Sequence, residues 1–332
     1  MLKSQFQYPG ILKLEFNNYD PGSFNIIVQY KMNYTIVIVT RNRPDKITHC
    51  LNTIECLRSI EKPGVLIIDQ SDDNQTYHAV KNYKSVRYLK GEKGKARGLN
   101  FAIQKNAADI LCFIDDDVYV DKNWLWNINK AFSSNPEIAG VFGRVLPFAH
   151  IEKKGMICPL SFENKEKKLL TKPAYHAKNI GVGCNMVFKK SVFRKYGGFK
   201  TWLGPCTIGK SAEDAEFALR LLLNKKRLLY EPNILVYHDR WLSTEQAKIR
   251  QREYLLGEII CYTFFALKKN KFAYRVIMYN WKKLFNKLMP KTYLIKNLRK
   301  LKIGIGDFLL DSSVLIKGLI LGLFFYLREG EG

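Results

Sequence analysis

Three adjacent aspartates at the end of an apolar run carry the most distinctive chemistry in this sequence. The run 110–121 reads ILCFIDDDVYVD, so Asp115, Asp116 and Asp117 directly follow a segment typical of a buried strand. Because alternate side chains of a strand point to the same face, Asp115 and Asp117 can converge on one ligand while Asp116 points away. Carboxylate oxygens suit Mg²⁺ or Mn²⁺. The triplet predicts a divalent-cation site, with a solvated turn before a helix near Trp124 as the alternative.

The elements that must position these aspartates alternate between strands and helices. The predicted strands are 34–40, 65–69, 86–89, 110–115, 138–146 and 228–237. The predicted helices are 45–60, 77–83, 96–105, 122–132 and 214–223. This alternation predicts an α/β fold with a mostly parallel sheet covered by helices.

Further polar residues fall where these strands end or where a helix begins. Thr40 and Asp69 end the first two strands, and His238 follows the last one. Ligands of such sheets bind outside the carboxyl ends of the strands, so these residues are expected to share a rim with the aspartates. Glu213 and Asp214 open a helix, where they either act in a site or only cap the helix and complement its dipole. Asp69 and His238 likewise have simpler interpretations as a turn residue and a half-exposed loop residue.

Length and composition set the organisation that we expect. A chain of 332 residues with 47% apolar and 25% charged residues has room for one large α/β domain and an appendage. We expect an N-terminal extension over 1–33, the α/β domain over 34–240 and a helical, basic region over 241–332. Seven cysteines without a C-x-x-C pair indicate neither a disulfide framework nor a zinc site. With no secretory signal pattern at the start, a cytoplasmic location is expected.

The net charge of +24 is concentrated near the C-terminus. Residues 268–302 contain twelve Lys or Arg and no Asp or Glu, interleaved with aromatic residues. This mixture is typical of a basic amphipathic helix on anionic lipid, and nucleic acid is the competing partner. The following run, 314–327, is apolar except for Lys317 and is shorter than the roughly 20 residues that a bilayer span needs. It is expected to lie on a membrane or pack against the domain, with a true span as the further alternative.

Taken in order, the short motifs of this chain resemble those of a family 2 glycosyltransferase over about residues 34–240. The motifs are Thr40-Arg41-Asn42-Arg43-Pro44, Asp69, Ala96-Arg97-Gly98-Leu99-Asn100, Asp115-Asp116-Asp117, Gly183-Cys184-Asn185-Met186, Gly197-Gly198-Phe199, Glu213-Asp214 and His238. The resemblance implies the GT-A fold, a single Rossmann-like α/β domain that binds a nucleotide sugar. It also implies transfer of the sugar from a nucleotide diphosphate with inversion at the anomeric carbon.

The resemblance also implies roles for individual residues. Those assigned to the nucleotide-sugar donor are Thr40, Arg43, Asp69, Arg97, Asp115 and Asp116. Those assigned to a bound Mn²⁺ or Mg²⁺ are Asp117, Asp115 and His238. Asp214 resembles the general base, with Glu213 as the reserve candidate, and Asn185, Gly204 and Gly209 resemble acceptor-side elements. Two positions depart from the family pattern: Gly98 interrupts the usual Ala-Arg-Asn run, and Gln70 follows Asp69 where a small residue or Asn is usual.

These features together predict a metal-dependent, inverting enzyme of surface polysaccharide biosynthesis. The expected donor is a UDP-sugar, and the expected acceptor is a hydroxyl of a glycan or lipid-linked molecule. The protein is expected on the inner face of the cell membrane, held peripherally by residues 268–327, and nucleic acid is not the favoured partner. A nucleotidyltransferase and a non-enzymatic RNA- or membrane-binding module are the alternatives, although the first would need a glycine-rich phosphate loop.

Overall fold

A mixed β-sheet with helices on both faces, followed by three long helices, accounts for most of the chain. The computed structural model describes residues 13–15, 27–29, 32–58, 63–148, 155–159, 161–173, 180–288 and 298–330. The strands of the described chain are β1 Lys13–Glu15, β2 Ile27–Gln29, β3 Tyr34–Thr40, β4 Gly64–Asp69, β5 Val86–Lys90, β6 Ile110–Asp115, β7 Val118–Val120, β8 Ile138–Pro147, β9 Met156–Ile157, β10 Lys168–Leu170, β11 Asn185–Lys189, β12 Arg227–His238 and β13 Leu242–Ser243. Its helices are α1 Pro44–Glu55, α2 Gln75–Val80, α3 Lys95–Gln104, α4 Trp124–Ser134, α5 Lys190–Tyr196, α6 Glu213–Leu223, α7 Thr244–Leu267, α8 Lys271–Leu288 and α9 Leu298–Gly330.

The main sheet confirms the predicted α/β fold and adds antiparallel strands to it. Its order is β10-β12-β8-β11-β6-β3-β4-β5, with β7 paired to β12. The strands β5, β4, β3 and β6 are parallel neighbours, as are β8 and β12. The strand β11 lies antiparallel between β6 and β8, while β7 and β10 run antiparallel to β12.

Both faces of this sheet are buried, which explains why its central strands read as continuous apolar runs. In β3, Ile36 and Ile38 pack in a core with α1 and α4. The intervening Val37 packs in a second core with residues of α3 and α6 on the opposite face. A strand covered by helices on both sides loses the alternation of apolar and polar residues that marks a half-buried strand.

Short elements depart most from the sequence-based predictions. The strand β7 was not predicted because three residues are too few to carry a recognisable period. The predicted helix 45–60 ends at Glu55, and residues 59–62 lie outside the described part of the chain. The stretch 147–179, predicted to be irregular, contributes the short strands β9 and β10. Near the N-terminus, β1 and β2 pair antiparallel, and the rest of 1–31 lies outside the described residues.

The three C-terminal helices pack on the α/β part as a helical layer, which we define as α7, α8 and α9. A capping box starts α7, since Ser243 accepts from the backbone N–H of Gln246 and the Gln246 side chain accepts from that of Ser243. One apolar core joins residues of this layer to Leu203 and Leu219 of the α/β part. The apolar run 314–327 therefore packs against the domain, as one of the three interpretations predicted.

Close approach between α7 and α9 depends on glycine. A methyl group on Gly322 would lie 2.4 Å from Cβ of Thr263, so no larger residue fits there without a shift. At the end of α9, Glu329 accepts hydrogen bonds from Lys200 at 2.6 Å and from Trp202 at 2.8 Å. These contacts fix the C-terminal part of α9.

One stretch of the described chain, Gly306–Glu329 in α9, is long and apolar enough to cross a membrane by length and composition. Its mean hydropathy is 1.9, and 28% of its most apolar window is buried in this structure. A core helix of a soluble protein can meet the same criteria.

Candidate active site

The pairing of β7 with β12 brings the predicted metal ligands together. Asp115 ends β6, Asp117 directly precedes β7, and His238 ends β12 opposite Val118. The backbone N–H of Asp239 also donates to the carbonyl oxygen of Asp117 at 2.8 Å. One potential ligand atom from each of Asp115, Asp117 and His238 therefore lies within 4.8 Å of the other two.

Asp117 and His238 have the unsatisfied polar atoms that a cation would satisfy. Both side chains are buried, and His238 Nε2 lies 3.2 Å from Asp117 Oδ1. The two atoms face each other as an ion pair, but neither makes a hydrogen bond of good geometry within the described residues. Buried polar atoms without a hydrogen bond are costly and rare in native proteins. The two carboxylates suit Mn²⁺ or Mg²⁺, and the imidazole is a further potential ligand, so the residues present can hold a divalent cation.

The charges around Asp117 are strongly coupled. Burial opposes the ionisation of Asp117, but the adjacent His238 outweighs it and lowers the pKa of the carboxyl group. For His238, burial alone would lower the pKa, but the adjacent carboxylate of Asp117 outweighs burial and raises the pKa to about 9. Arg43 adds a second positive charge, with its guanidinium 3.1 Å from Asp117 Oδ2. The local field therefore keeps Asp117 ionised, as a metal ligand must be.

Asp116 points away from this cluster, as strand alternation predicts. It accepts a hydrogen bond from Thr40 Oγ1 at 2.6 Å and another from Arg43 at 2.9 Å. Burial, with the charge of Asp117, raises the pKa of Asp116 to about 6. Thr40 and Asp116 are both buried in this internal network, so neither of these predicted donor-site residues has its side chain exposed at the rim.

Asp69 lies on the same edge of the sheet but is fully enclosed. Its carboxylate accepts from Ser71 Oγ and N, from Tyr88 Oη at 2.6 Å, and forms an ion pair with Lys90 at 3.0 Å. Burial raises the pKa of this group, but the hydrogen bonds from Ser71 and Tyr88 outweigh it and lower the pKa overall. The carboxylate predicted to hold the nucleotide base is thus fixed by internal partners.

The two departures from the family pattern are linked in the structure. The side-chain amide of Gln70 donates to the carbonyl oxygen of Gly94 at 3.0 Å and accepts from its N–H at 3.2 Å. It therefore fastens the turn that precedes α3. A methyl group on Gly98 would lie 2.8 Å from Gln70 Nε2 and 2.8 Å from Val39 Cγ1. Because Gly98 has no side chain, it leaves room for the side chain of Gln70.

The first turn of α6 presents one accessible and one buried carboxylate. Asp214 is half-buried and lies against Gly183, where a methyl group would meet its Oδ2 at 2.5 Å. Its Oδ1 accepts from the backbone N–H of Ala215 at 2.8 Å, so it also serves the helix start. Glu213 is buried behind it, and burial raises the pKa of Glu213 to about 7 against the lowering effect of Lys95.

Lys95 connects the two groups of carboxylates and was not predicted from the sequence. Its ammonium lies 2.5 Å from Asp115 Oδ1 and 3.6 Å from Glu213 Oε1. Burial acts to lower the pKa of Lys95, but Asp115 and Glu213 outweigh it and raise the pKa above its usual value. No sequence pattern distinguishes Lys95, because it is one of three lysines in the segment 90–95.

A single cleft of about 510 Å³ contains Asp115, Lys95, Glu213 and Asp214. It also contains Gly183, whose lack of a side chain leaves room for Asp214. The carboxylate at the end of β6 and the carboxylate at the start of α6 therefore face one shared space, which we call the carboxylate cleft.

Asn185, predicted on the acceptor side, lies in the core instead. It is fully buried, accepts from Trp124 Nε1 at 3.0 Å and donates to the carbonyl oxygens of Arg144 and Ile234. Its side-chain oxygen and nitrogen are both bonded within the core, so in this structure the side chain is not available to an acceptor. The Gly183-Cys184-Asn185-Met186 motif does not determine on which face of β11 the Asn185 side chain lies.

The other predicted residues, Gly204, Gly209 and Arg97, do not line the carboxylate cleft. Gly204 and Gly209 belong to the loop whose Pro205 and Lys210 do line it. Arg97 is exposed on α3 and donates to the carbonyl oxygen of Lys93 at 3.0 Å. Their predicted roles in substrate binding stay predictions.

Known proteins share both the sequence pattern and the fold. Residues 35–197 match the family model described as glycosyl transferase family 2. A pre-mycofactocin glycosyltransferase of Mycobacterium tuberculosis is 25% identical over 217 residues, which cover 62% of this chain and 42% of that protein. A poly-beta-1,6-N-acetyl-D-glucosamine synthase of Staphylococcus aureus is 24% identical over 207 residues, which cover 60% of this chain and 48% of that protein. This chain thus matches less than half the length of these relatives.

Solved structures resemble nearly the whole chain. A mannosyltransferase from Pyrobaculum calidifontis, solved in complex with GDP-Man and Mn²⁺, has a TM-score of 0.56 at 16% identity and covers 97% of this chain and 91% of its own. Residues 1–349 of TarS from S. aureus give a TM-score of 0.50 at 17% identity, covering 90% and 92%. Residues 35–197 thus form a glycosyl transferase family 2 region, and the α/β part has the GT-A fold.

Proposed function

We propose that this protein transfers a sugar from a nucleotide diphosphate donor to a hydroxyl group of a glycan or lipid-linked acceptor, with inversion at the anomeric carbon. The observation that carries the proposal is the carboxylate cleft, which is lined both by Asp115, a member of the cluster with Asp117 and His238, and by the accessible Asp214. The match to the family model supports the reaction class. A UDP-sugar remains the expected donor.

The residues of the carboxylate cleft and the metal cluster act on different parts of a single displacement at the anomeric carbon. The acceptor oxygen forms a bond to the anomeric carbon as the bond from that carbon to the diphosphate oxygen breaks and its electrons remain on the phosphate. Asp214 takes the proton of the acceptor hydroxyl. Attack on the face opposite the leaving group inverts the configuration. A Mn²⁺ or Mg²⁺ ion held by Asp115, Asp117 and His238 would supply Lewis-acid stabilisation of the leaving diphosphate.

Buried groups around these residues keep them in place. Lys95 holds Asp115 and Glu213 in one ion-pair network, and Gly183 leaves room for the Asp214 carboxylate. Arg43 orders the opposite oxygen of Asp117. Pre-positioned groups of this kind reduce the reorganisation needed during the reaction.

A thermal-shift screen of UDP-, GDP-, dTDP- and CDP-sugars, with and without Mn²⁺, tests the donor half of this proposal. A ligand that binds only the folded protein stabilises it by about 2.7 kcal/mol at 100 times its Kd, so the correct donor should raise the Tm clearly. We expect the largest shift when the donor and Mn²⁺ are present together. If no nucleotide sugar shifts the Tm under either condition, the proposed function is wrong.

We further propose that the helical layer holds the protein on the cytoplasmic side of an anionic membrane. Over 271–284, where side-chain burial is described, the exposed residues of α8 repeat at helical spacing and are cations or large side chains: Lys271, Tyr274, Arg275, Met278, Tyr279, Lys282 and Lys283. Each Lys or Arg near an anionic leaflet contributes about 1 kcal/mol to binding. The exposed face of α9 adds a row of apolar residues: Leu309, Leu310, Ile316, Ile320, Leu323, Phe324 and Leu327.

Vesicle co-sedimentation tests this location with variants of exposed residues. The double substitution Ile320→Ser with Phe324→Ser should weaken binding to phosphatidylglycerol-containing vesicles at least several-fold, because it removes apolar surface that would enter the interface. Trp126→Ser is the matched control, since Trp126 is 55% exposed on α4, outside the helical layer. Equal sedimentation of both variants and the unaltered protein would show that α9 does not contact the membrane.

A further inference from the structure

The carboxylate cleft extends past its carboxylates into the helical layer. Its wall includes Leu255 of α7, Leu284 of α8 and Leu315 of α9. A molecule with its reactive hydroxyl beside Asp214 could therefore extend along the cleft between the α/β part and the helices.

Some charged side chains in this outer part of the cleft neutralise one another. Arg252 pairs with Asp307 at 2.5 Å and with Asp311 at 3.1 Å. Arg250 pairs with Glu253 at 2.8 Å. These arginines are therefore engaged within the helical layer.

Other cations of the same cleft are not engaged in this way. Lys210, Arg240, Lys248 and Lys283 all line it, and none has an ion-pair partner in the part of the chain that the structure describes. The remaining acidic residue of the outer wall, Glu258, has contacts of its own. The outer cleft thus carries an excess of positive charge close to Asp214.

We propose that Lys210 and Lys248 bind a phosphate group of the acceptor whose hydroxyl Asp214 deprotonates. This inference rests on the proposed function. Lys210 lies three residues before α6, and Lys248 lies in the second turn of α7. Both flank the helix that carries Asp214, whereas the cluster for the donor diphosphate lies at the ends of β6 and β12.

Phosphate is an anion that suits several ammonium groups lining one cleft. It presents three oxygens and up to two negative charges, and hydrogen bonds between ionised partners are about twice as strong as neutral ones. A neutral glycan would leave Lys210 and Lys248 without a function in the cleft. The phosphate belongs either to a lipid carrier, whose chain would contact Leu255 and Leu315, or to a soluble phosphorylated acceptor.

Binding of four small probes to the full-length protein, in the presence of Mn²⁺, tests the inference. The probes are farnesyl phosphate, farnesol, glycerol 3-phosphate and glycerol. We expect the phosphorylated member of at least one pair to bind about tenfold or more tightly than its uncharged partner, because charge-assisted hydrogen bonds are added. Tighter binding of farnesyl phosphate than of glycerol 3-phosphate would show that the phosphate belongs to a lipid carrier. Equal binding of the two would show that the site recognises the phosphate group alone.

Variants then locate the site. Lys210→Gln with Lys248→Gln should weaken binding of the phosphorylated probes about tenfold or more, whereas Lys210→Arg with Lys248→Arg should retain it. Lys165→Gln with Lys172→Gln is the matched control, because these lysines are exposed and do not line the cleft. Equal binding of charged and uncharged probes, or equal loss in the control, would overturn the inference.

The same samples separate this inference from the proposed function. The Gln double variant should keep the thermal shift given by the donor and Mn²⁺, since neither lysine belongs to the metal cluster. A donor shift without phosphate binding would reject the acceptor phosphate and leave the glycosyl transfer intact. Absence of the donor shift in the unaltered protein would reject both.

Discussion

Asp214→Asn is expected to lower kcat for sugar transfer by about 10² to 10⁴-fold, the usual contribution of a general base. The substitution removes only the ability to take a proton, because the amide oxygen can still accept from the N–H of Ala215 at 2.8 Å. The fold and the donor site should therefore be retained. Transfer to an acceptor and the donor-dependent thermal shift, measured on the same preparation, check both parts of this expectation.

Glu213→Gln is the matched variant for Asp214→Asn. Glu213 is buried behind Asp214 and faces Lys95 at 3.6 Å, so its loss should disturb positioning more than proton transfer. A smaller loss of kcat is expected for Glu213→Gln than for Asp214→Asn. The reverse order would assign the general base to Glu213. Gly183→Ala provides a further check, because its methyl group would meet Asp214 Oδ2 at 2.5 Å and should lower kcat without removing the carboxylate.

Asp117→Ala is expected to abolish the Mn²⁺ dependence of donor binding and to lower transfer by about 10³-fold or more. A Lewis acid contributes several kcal/mol to charge stabilisation, and each 1.4 kcal/mol or so is a factor of ten in rate. Asp117 is buried beside His238 and Arg43, so its removal leaves two positive groups without their common anion. Thermal shift against Mn²⁺ concentration, with and without nucleotide sugar, measures the first effect directly.

Asp109→Asn is the control for Asp117→Ala, because Asp109 is an exposed carboxylate outside the cluster. It should leave both Mn²⁺ response and transfer unchanged. An Asp117→Ala protein that remains folded and still shows a full Mn²⁺-dependent donor shift would exclude Asp117 as a ligand.

The central strands and the rim of the site were predictable from local patterns. The bounds of β3 and β6 match their predicted ranges, because both strands are continuous apolar runs that end in polar residues. The positions of Thr40, Asp69 and Asp115 at one edge then follow from parallel pairing of β3 with β4 and β6. Local sequence fixes such features because strand ends are marked by a change of residue type.

The contacts between distant segments were not predictable in the same way. His238 reaches Asp117 through the pairing of β7 with β12, and β7 is too short to be recognised. Lys95 reaches Asp115 and Glu213 only because α3, β6 and α6 converge in space. Asn185 shows a different limit of sequence-based prediction. Its motif is present, but its side chain accepts a hydrogen bond from Trp124 inside the core.

The paired fit of Gln70 and Gly98 means that these two positions cannot be exchanged independently. Replacing Gly98 with a larger residue would push against Gln70 Nε2 at 2.8 Å and disturb the turn that leads to Lys95. Shortening Gln70 alone would instead remove the hydrogen bonds that fasten this turn, so a protein engineer who redesigns this scaffold would have to treat the two positions as one unit.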